Sequence, residues 1–297
     1  MLIGTTAAPR PDTTSAPPRS GLMEVIRAAS QSMTQAEQKV GRQVLGDPAA
    51  VLSLSVTELA QAAGVSPATA VRFCQSLGLR GYQELKLRLA GEVLGQDQAL
   101  PDRIDPNDSS SDITAKVLQG ASDALAEAAR HVDGAQLERI AEAVRTASRT
   151  LIVAVGTSAP LAQDAAYRLT TAGARALFLS DAHVQHVTAA LLGPEALCLA
   201  ISHTGSTVET LAATRAAKAA GARTAAITSF AASPLTELAD LVVVGGSRET
   251  AHRIEALSSR VVHMSLLDAL FSLVAAGTPG SSEALAATAE VIVEHRI

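Results

Sequence analysis

The sequence predicts two units of different class: an all-α unit over residues 21–95, then an α/β unit over residues 113–297 built on a five-stranded parallel sheet. Three observations carry this. Residues 21–95 show helical periodicity broken by Gly and Pro, with no period-two stretch. Apolar runs at 151–155, 176–179, 196–201, 224–227 and 241–244 then alternate with helical patterns, the signature of βαβ units. Between the two units, residues 96–112 carry Pro101, Pro106 and Ser109-Ser110-Ser111 among aspartates, and are read as a linker. A chain of 297 residues is long enough for two cores.

Composition narrows the class. Aromatics are 2% of residues and Trp is absent, so the cores must be built from Ala, Leu, Val and Ile. Cys74 and Cys198 fall on apolar patterns away from any metal-ligand spacing, and are read as reduced core thiols of a cytoplasmic protein. Neither an N-terminal apolar leader nor a run of membrane-span length is read from the sequence, so no membrane partner is expected. The formal charge is −5, unevenly spread: residues 1–95 hold 9 Lys+Arg against 7 Asp+Glu, net +2, and the remainder 15 against 22, net −7. Only the first third has a charge balance that lets it approach a polyanion.

Taken in order, residues 1–20 hold Pro9, Pro11, Pro17 and Pro18 without apolar period and are read as a disordered tail; Arg10 and Arg19 would suit a DNA-contacting arm, a plain tail being the simpler reading. Leu22, Val25 and Ile26 mark one helical face, Thr34 and Glu37 form a capping box, and Asp47-Pro48 opens a short helix. From Val56 to Gly78, a short helix breaks at Gly64, Ser66 caps a second, and Pro67 occupies its first position, where a missing N–H costs nothing. This is a helix-turn-helix pattern. Ala60 is small where the helices approach, and Leu59, Val65, Ala70, Phe73 and Leu77 fill the space between them. Ser66, Ala68, Thr69, Arg72 and Gln75 are placed on the outward face of the second helix, suited to the major groove of double-stranded operator DNA. An ordinary helical hairpin is the bland alternative.

The run 64–69 with Arg72-Phe73-Cys74, followed by Leu77-Gly78-Leu79-Arg80-Gly81-Tyr82-Gln83-Glu84-Leu85-Lys86, resembles the N-terminal domain of RpiR-type transcriptional regulators. The resemblance implies that the segment around Gly81, Tyr82 and Lys86 supports the recognition helix, with Lys86 and Arg88 as candidate phosphate contacts.

After the linker, residues 113–131 and 135–147 read as two helices, and the alternating part follows. Ligands of parallel sheets bind beyond the carboxyl ends of strands. Two such ends carry chemistry: Val155-Gly156-Thr157-Ser158, and Ser202-His203-Thr204-Gly205-Ser206-Thr207 leading into an Ala-rich helix. A strand that hands hydroxyls and unpaired N–H groups to a helix start suits an anion, phosphate above all. Ser206 or Thr207 as a mere cap is the bland alternative, but that does not need Ser202 and Thr204. Together with Asp181-x-His183-x-Gln185, Ser259-Arg260 and Asp268-Ala269-Leu270-Phe271, these loops resemble the SIS (sugar isomerase) domain, which implies a three-layer α/β/α fold that binds phosphosugars. Gly156 and Ser158 match its first motif, with Ala154 where the family has a glycine; Ser202, Gly205 and Thr207 match the second, Ser-x-Ser-Gly-x-Thr, with Thr204 keeping the hydroxyl of its second serine. The resemblance implies that Ser202, Thr204, Ser206 and Thr207 hold the phosphate, with Ser158 near the sugar and Glu255 placed to touch it.

His183 and His186 sit three apart without a further ligand at matching spacing, so no metal is expected, and no cofactor. The expected function is a DNA-binding regulator, a homodimer or homotetramer on a palindromic operator, controlled by a phosphosugar. The rival is a phosphosugar isomerase or lyase in which Glu255 moves a proton. A dinucleotide-binding module is a third reading, disfavoured because a full Gly-x-Gly-x-x-Gly is missing.

Overall fold

The computed structural model describes residues 21–93, 104–105, 107–246 and 257–294. Six helices form the first unit: α1 (Leu22–Ala29), α2 (Gln35–Gly46), α3 (Pro48–Leu52), α4 (Val56–Ala62), α5 (Pro67–Ser76) and α6 (Tyr82–Val93). Their starts are written into the sequence. Thr34 accepts from Glu37 N–H while the Glu37 carboxylate accepts from the Thr34 N–H, closing the capping box; Asp47, Ser55 and Ser66 cap α3, α4 and α5 in turn. Gly64 takes φ +63 in the turn between α4 and α5, where a Cβ would be strained. Ile26, Val40, Val44, Val51, Leu59, Phe73, Leu85 and Leu89 share one buried core.

The second unit opens with α7 (Ser110–His131) and α8 (Gly134–Thr146), then runs β1 (Arg149–Val153), α9 (Ala159–Thr171), β2 (Ala176–Phe178), α10 (Ala182–Ala190), β3 (Ala196–Ser202), α11 (Val208–Ala219), β4 (Arg223–Thr228), α12 (Pro234–Leu238) and β5 (Leu241–Val244), ending with α13 (Leu257–Gly277) and α14 (Ser281–Glu294). The sheet is parallel with order β2-β1-β3-β4-β5. Alternation along β3 splits the core into two layers. Leu197, Leu199 and Ile201 face α7, α8, α9 and α13, while Cys198 and Ala200 face α10, α11 and α12. The chain leaves β1 toward β2 and leaves β3 toward β4, with α9 and α11 on opposite faces. The crevice between the ends of β1 and β3 is therefore a topological switch point.

Three expectations are corrected here. The linker ends earlier than 112: Ser109 accepts from Asp112 N–H and Asp112 accepts in return, a capping box that starts α7 at Ser110. The first and second apolar runs end as strands at Val153 and Phe178 because the chain turns at once into the two βα loops. A helical run of membrane-span length does exist, Ser258–Gly277, with mean hydropathy 1.4. It packs against α7, α8 and α9, and buries Val262, Leu266, Leu267, Leu270 and Val274 in the core. Arg260, His263 and Asp268 interrupt it in sequence, which is why it does not read as one apolar stretch. Residues 1–20, most of 96–106, and Glu255 lie outside the described residues. Cys74 and Cys198 are free and buried, and burial pushes both thiols up to about 12, away from reactivity at neutral pH.

Candidate effector site and DNA-reading helix

Strand β3 delivers the second motif to the switch point. Ser202 is its last residue, buried, and its register partner is Thr228 at the end of β4. Gly205 turns the loop with φ +61, and the turn has no room for a side chain: a Cβ there would lie 2.2 Å from Ser233 Oγ. Hydroxyls hold the loop's own backbone. Ser202 Oγ accepts from Gly205 N–H at 3.2 Å and meets Thr207 Oγ1 at 3.2 Å; Thr204 Oγ1 accepts from Ser206 N–H at 3.2 Å; Ser206 Oγ donates to the Thr204 carbonyl. The result is a compact cluster of four hydroxyls around the start of α11.

That start is chemically open. Thr207 occupies the N-cap position of α11, yet no side chain caps the helix. The same holds at α9, where Ser158 stands at the N-cap, buried, with no side-chain cap bond, after a 3-10 turn that begins at Gly156 with φ +58. The neighbouring starts are closed: Ser109, Asp133, Asp181 and Ser233 cap α7, α8, α10 and α12. The two uncapped starts follow β1 and β3, the adjacent strands at the switch point. Two positive helix ends without a side-chain cap bond are thus brought to one crevice, ringed by Ser158, Ser202, Thr204, Ser206 and Thr207. A capping role for Thr207 does not account for its presence.

Several further residues shape this crevice, of which the sequence pattern marked only Gln185, without its partners. Gln185, on α10, is buried and fully paired: its Oε1 accepts from Ala154 N–H at 3.1 Å, and its Nε2 donates to the Ala154 carbonyl at 2.9 Å and the Leu179 carbonyl at 2.6 Å. It fixes the backbone where Ala154 stands for the family's glycine. His183 and His186, its neighbours in sequence, are exposed instead. Behind the phosphate-type loop lies a polar chain. His203 Nδ1 meets Ser229 Oγ at 2.7 Å, and Ser229 Oγ meets His263 Nε2 at 3.0 Å. Burial holds the His263 imidazole down to about 4, with His203 adding to the depression and a hydrogen bond to the Gly245 backbone opposing it. Ser229 Oγ has a single proton and stands between the two rings, so it can donate to one histidine nitrogen while accepting from the other. The repeated hydroxyls Thr228-Ser229 at the end of an apolar run were a readable signal of this second layer.

In the first unit, α5 presents Ser66, Ala68, Arg72 and Gln75 to solvent. Thr69 is corrected: it is 6% exposed and turned inward, with Oγ1 meeting Ser66 Oγ and accepting from Arg72 Nη2 at 3.0 Å. It positions Arg72 rather than reaching a base. Lys86 is corrected too. It is 3% exposed, donates to the Leu54 carbonyl at 3.3 Å, and lies over the rings of Tyr82 and Phe230, so its ammonium is turned away from any DNA phosphate. Arg88 is exposed and paired with Glu84 at 2.7 Å. Helical spacing alone did not separate these faces, because Leu85 and Lys86 are both buried while Leu87 is exposed.

Comparison with known proteins agrees with both halves. The family profile described as "Helix-turn-helix domain, rpiR family" matches residues 20–96, and that described as "SIS domain" matches residues 144–273. The chain is 32% identical over 254 residues to an HTH-type transcriptional regulator of Caldanaerobacter subterraneus subsp. tengcongensis, covering 86% of this chain and 90% of the relative. It is 30% identical over 281 residues to an HTH-type transcriptional regulator of Haemophilus influenzae, covering 93% and 98%. Among solved structures it is similar to the Vibrio vulnificus NanR protein complexed with ManNAc-6P, with TM-score 0.81 and 26% identity over 93% of this chain and 99% of that one. With helix-turn-helix and parallel-sheet domain both matched, the chain belongs to the RpiR family of HTH-type transcriptional regulators with a SIS domain.

Proposed function

We propose that this protein is a cytoplasmic regulator that binds an operator through α5 and is switched by a phosphosugar held in the β1/β3 crevice. One observation carries the reading. Of helices α7 to α12, the two that start at the switch point are the two without a side-chain cap bond, and hydroxyls surround both starts. A phosphate there takes up N–H and O–H donors without a lysine, each charge-assisted bond contributing about 1.5–3 kcal/mol. The relative complexed with ManNAc-6P supports the ligand class. Ser202, Thr204, Gly205, Ser206 and Thr207 would hold the phosphate, Gly156 and Ser158 the near side of the sugar, and Glu255 a sugar hydroxyl.

Switching needs more than binding. The effector must prefer one domain arrangement, and moving the DNA-competent fraction from nearly all to nearly none takes a preference of about 10⁴-fold. Two copies would read two half-sites about 10 bp apart or a multiple of that. The test is titration of labelled promoter DNA with and without a panel of sugar phosphates that includes N-acetylmannosamine 6-phosphate. A shift in the binding midpoint by at least one of them is expected, and no shift with any removes the sensor reading. A coupled assay for aldose–ketose phosphate turnover should stay at background; turnover would replace the regulator by an isomerase.

A further inference from the structure

The two units meet at a joint that runs from the hydroxyl loop to the first helix of the helix-turn-helix. The loop 202–207 is bonded along its back to the segment that follows β4: the His203 carbonyl accepts from Ser229 N–H at 3.1 Å and Thr228 Oγ1 at 3.2 Å, and the Gly205 carbonyl accepts from Leu235 N–H at 3.0 Å. Gly205 also packs against Ser233 too closely for any side chain. The β3 and β4 loops therefore move together or lose these bonds. The far side of the β4 segment touches the first unit. Ser55 Oγ donates to the Ala232 carbonyl, and the Phe230 ring lies between His203, centroids 5.6 Å apart, and Lys86 Nζ, 5.3 Å from its centroid.

Ser55 is also the N-cap of α4. Its one hydroxyl accepts from Glu58 N–H at 3.1 Å while donating across the joint, so the cap of α4 and the docking bond share an atom. The residue before it is clasped as well, since the Leu54 carbonyl accepts from Tyr82 Oη at 3.0 Å and from Lys86 Nζ. A displacement of residues 229–233 thus acts on the cap of α4 and on α6 at once, and α4 packs directly on α5, the DNA-reading helix.

We infer that the segment Ser229–Ser233 is the mechanical joint through which the crevice controls the helix-turn-helix, with Ser55, Lys86 and Phe230 as its coupling residues. The ligand-dependent part rests on the proposed phosphosugar site; the joint itself does not. The experiment is amide hydrogen exchange by mass spectrometry on the full chain, read at Glu58 and Leu59 in α4 and at Gly205 and Ser206 in the loop. Without ligand, Gly205→Ala drives a Cβ into Ser233, and exchange at Glu58 and Leu59 should rise about tenfold. Phe230→Ala, at the contact between the units, should do the same should Gly205→Ala fail to fold. A folded variant of either kind with unchanged exchange at Glu58 and Leu59 overturns the joint.

With inorganic phosphate and N-acetylmannosamine 6-phosphate as probes, protection at Gly205 and Ser206 should come with altered exchange at Glu58 and Leu59, and Phe230→Ala should keep the first and lose the second. Protection at the loop with no change in wild-type α4 overturns the joint and leaves the site standing. No protection from either probe, while the ligand-free variants still loosen α4, supports the joint and overturns the site.

Discussion

In the first unit the starts of α1 to α5 are closed, whereas of α7 to α12 in the second, α9 and α11 have no side-chain cap bond. In the first, Thr34, Asp47, Ser55 and Ser66 each spend an oxygen on backbone N–H groups, and even α1, which begins at Gly21, receives the Glu92 carboxylate at Met23 N–H, 3.0 Å away. In the second, α9 and α11 begin among hydroxyls that do not cap them. Serine and threonine at a helix start therefore mean different things in the two units. In one they finish the fold, each cap contributing about 1 kcal/mol. In the other they surround two helix starts that no side chain caps, the kind of end that suits an anion.

The comparison is broken most forcefully at the loop itself. Ser202→Ala with Thr204→Ala removes two hydroxyls from the crevice, and effector affinity should fall by 10²-fold or more, about 3 kcal/mol or above, as two charge-assisted bonds are lost. Operator affinity without effector should stay within about threefold. Titration of promoter DNA with and without the sugar phosphate reads both; equal loss of the two would mean that the hydroxyls serve folding, as their counterparts in the first unit do.

A second test uses pH on the polar chain behind the loop. His263 is neutral and buried when folded, and its pKa of about 4 lies below the ordinary 6.5. The unfolded chain binds the extra proton between these values, so this contribution to stability is fully present above pH 6.5 and is lost as pH falls toward 4. It amounts to about 3 kcal/mol across the window. Denaturant melts from pH 7.5 to 4 should show that decline in wild type and a flatter profile in His263→Gln. A smaller effect is expected at the exposed face of α5. Arg72→Ala should leave stability within about 0.5 kcal/mol and weaken operator binding by about 1–3 kcal/mol, with a shallower salt dependence for a phosphate contact and relaxed base preference for a base contact.

How much of this was legible in the sequence follows from the range of the forces involved. The caps, the turn at Gly64, the five strands and the hydroxyl loop are local, set by residues within four or five positions of one another, and they read directly. The inward turn of Lys86 was not legible, because it is decided by distant partners, the Leu54 carbonyl and Phe230; that of Thr69 is local, with bonds to Ser66 and Arg72, but helical spacing put it on the wrong face. Gln185 was visible as part of a pattern, but its bonds to Ala154, 31 positions away, were not. Ser229 and His263 form one chain with His203 only because β4 and α13 bring them there. A lysine after a recognition helix reads as a DNA contact until the second unit's Phe230 is placed over it.

The finest test sets an open start against a closed one on neighbouring helices. Asp181 Oδ1 accepts from Val184 N–H at 2.8 Å at the start of α10, so Asp181→Ala should cost about 1 kcal/mol in a denaturant melt, the ordinary price of a lost cap. Thr207 stands at the same position on α11 without capping it, and its hydroxyl meets Ser202 Oγ at 3.2 Å. Thr207→Ala should therefore cost under about 0.5 kcal/mol in the same melt while lowering sugar-phosphate affinity about tenfold. If the two substitutions destabilise equally and Thr207→Ala leaves affinity unchanged, Thr207 is a cap after all, and the start of α11 is closed like its neighbours.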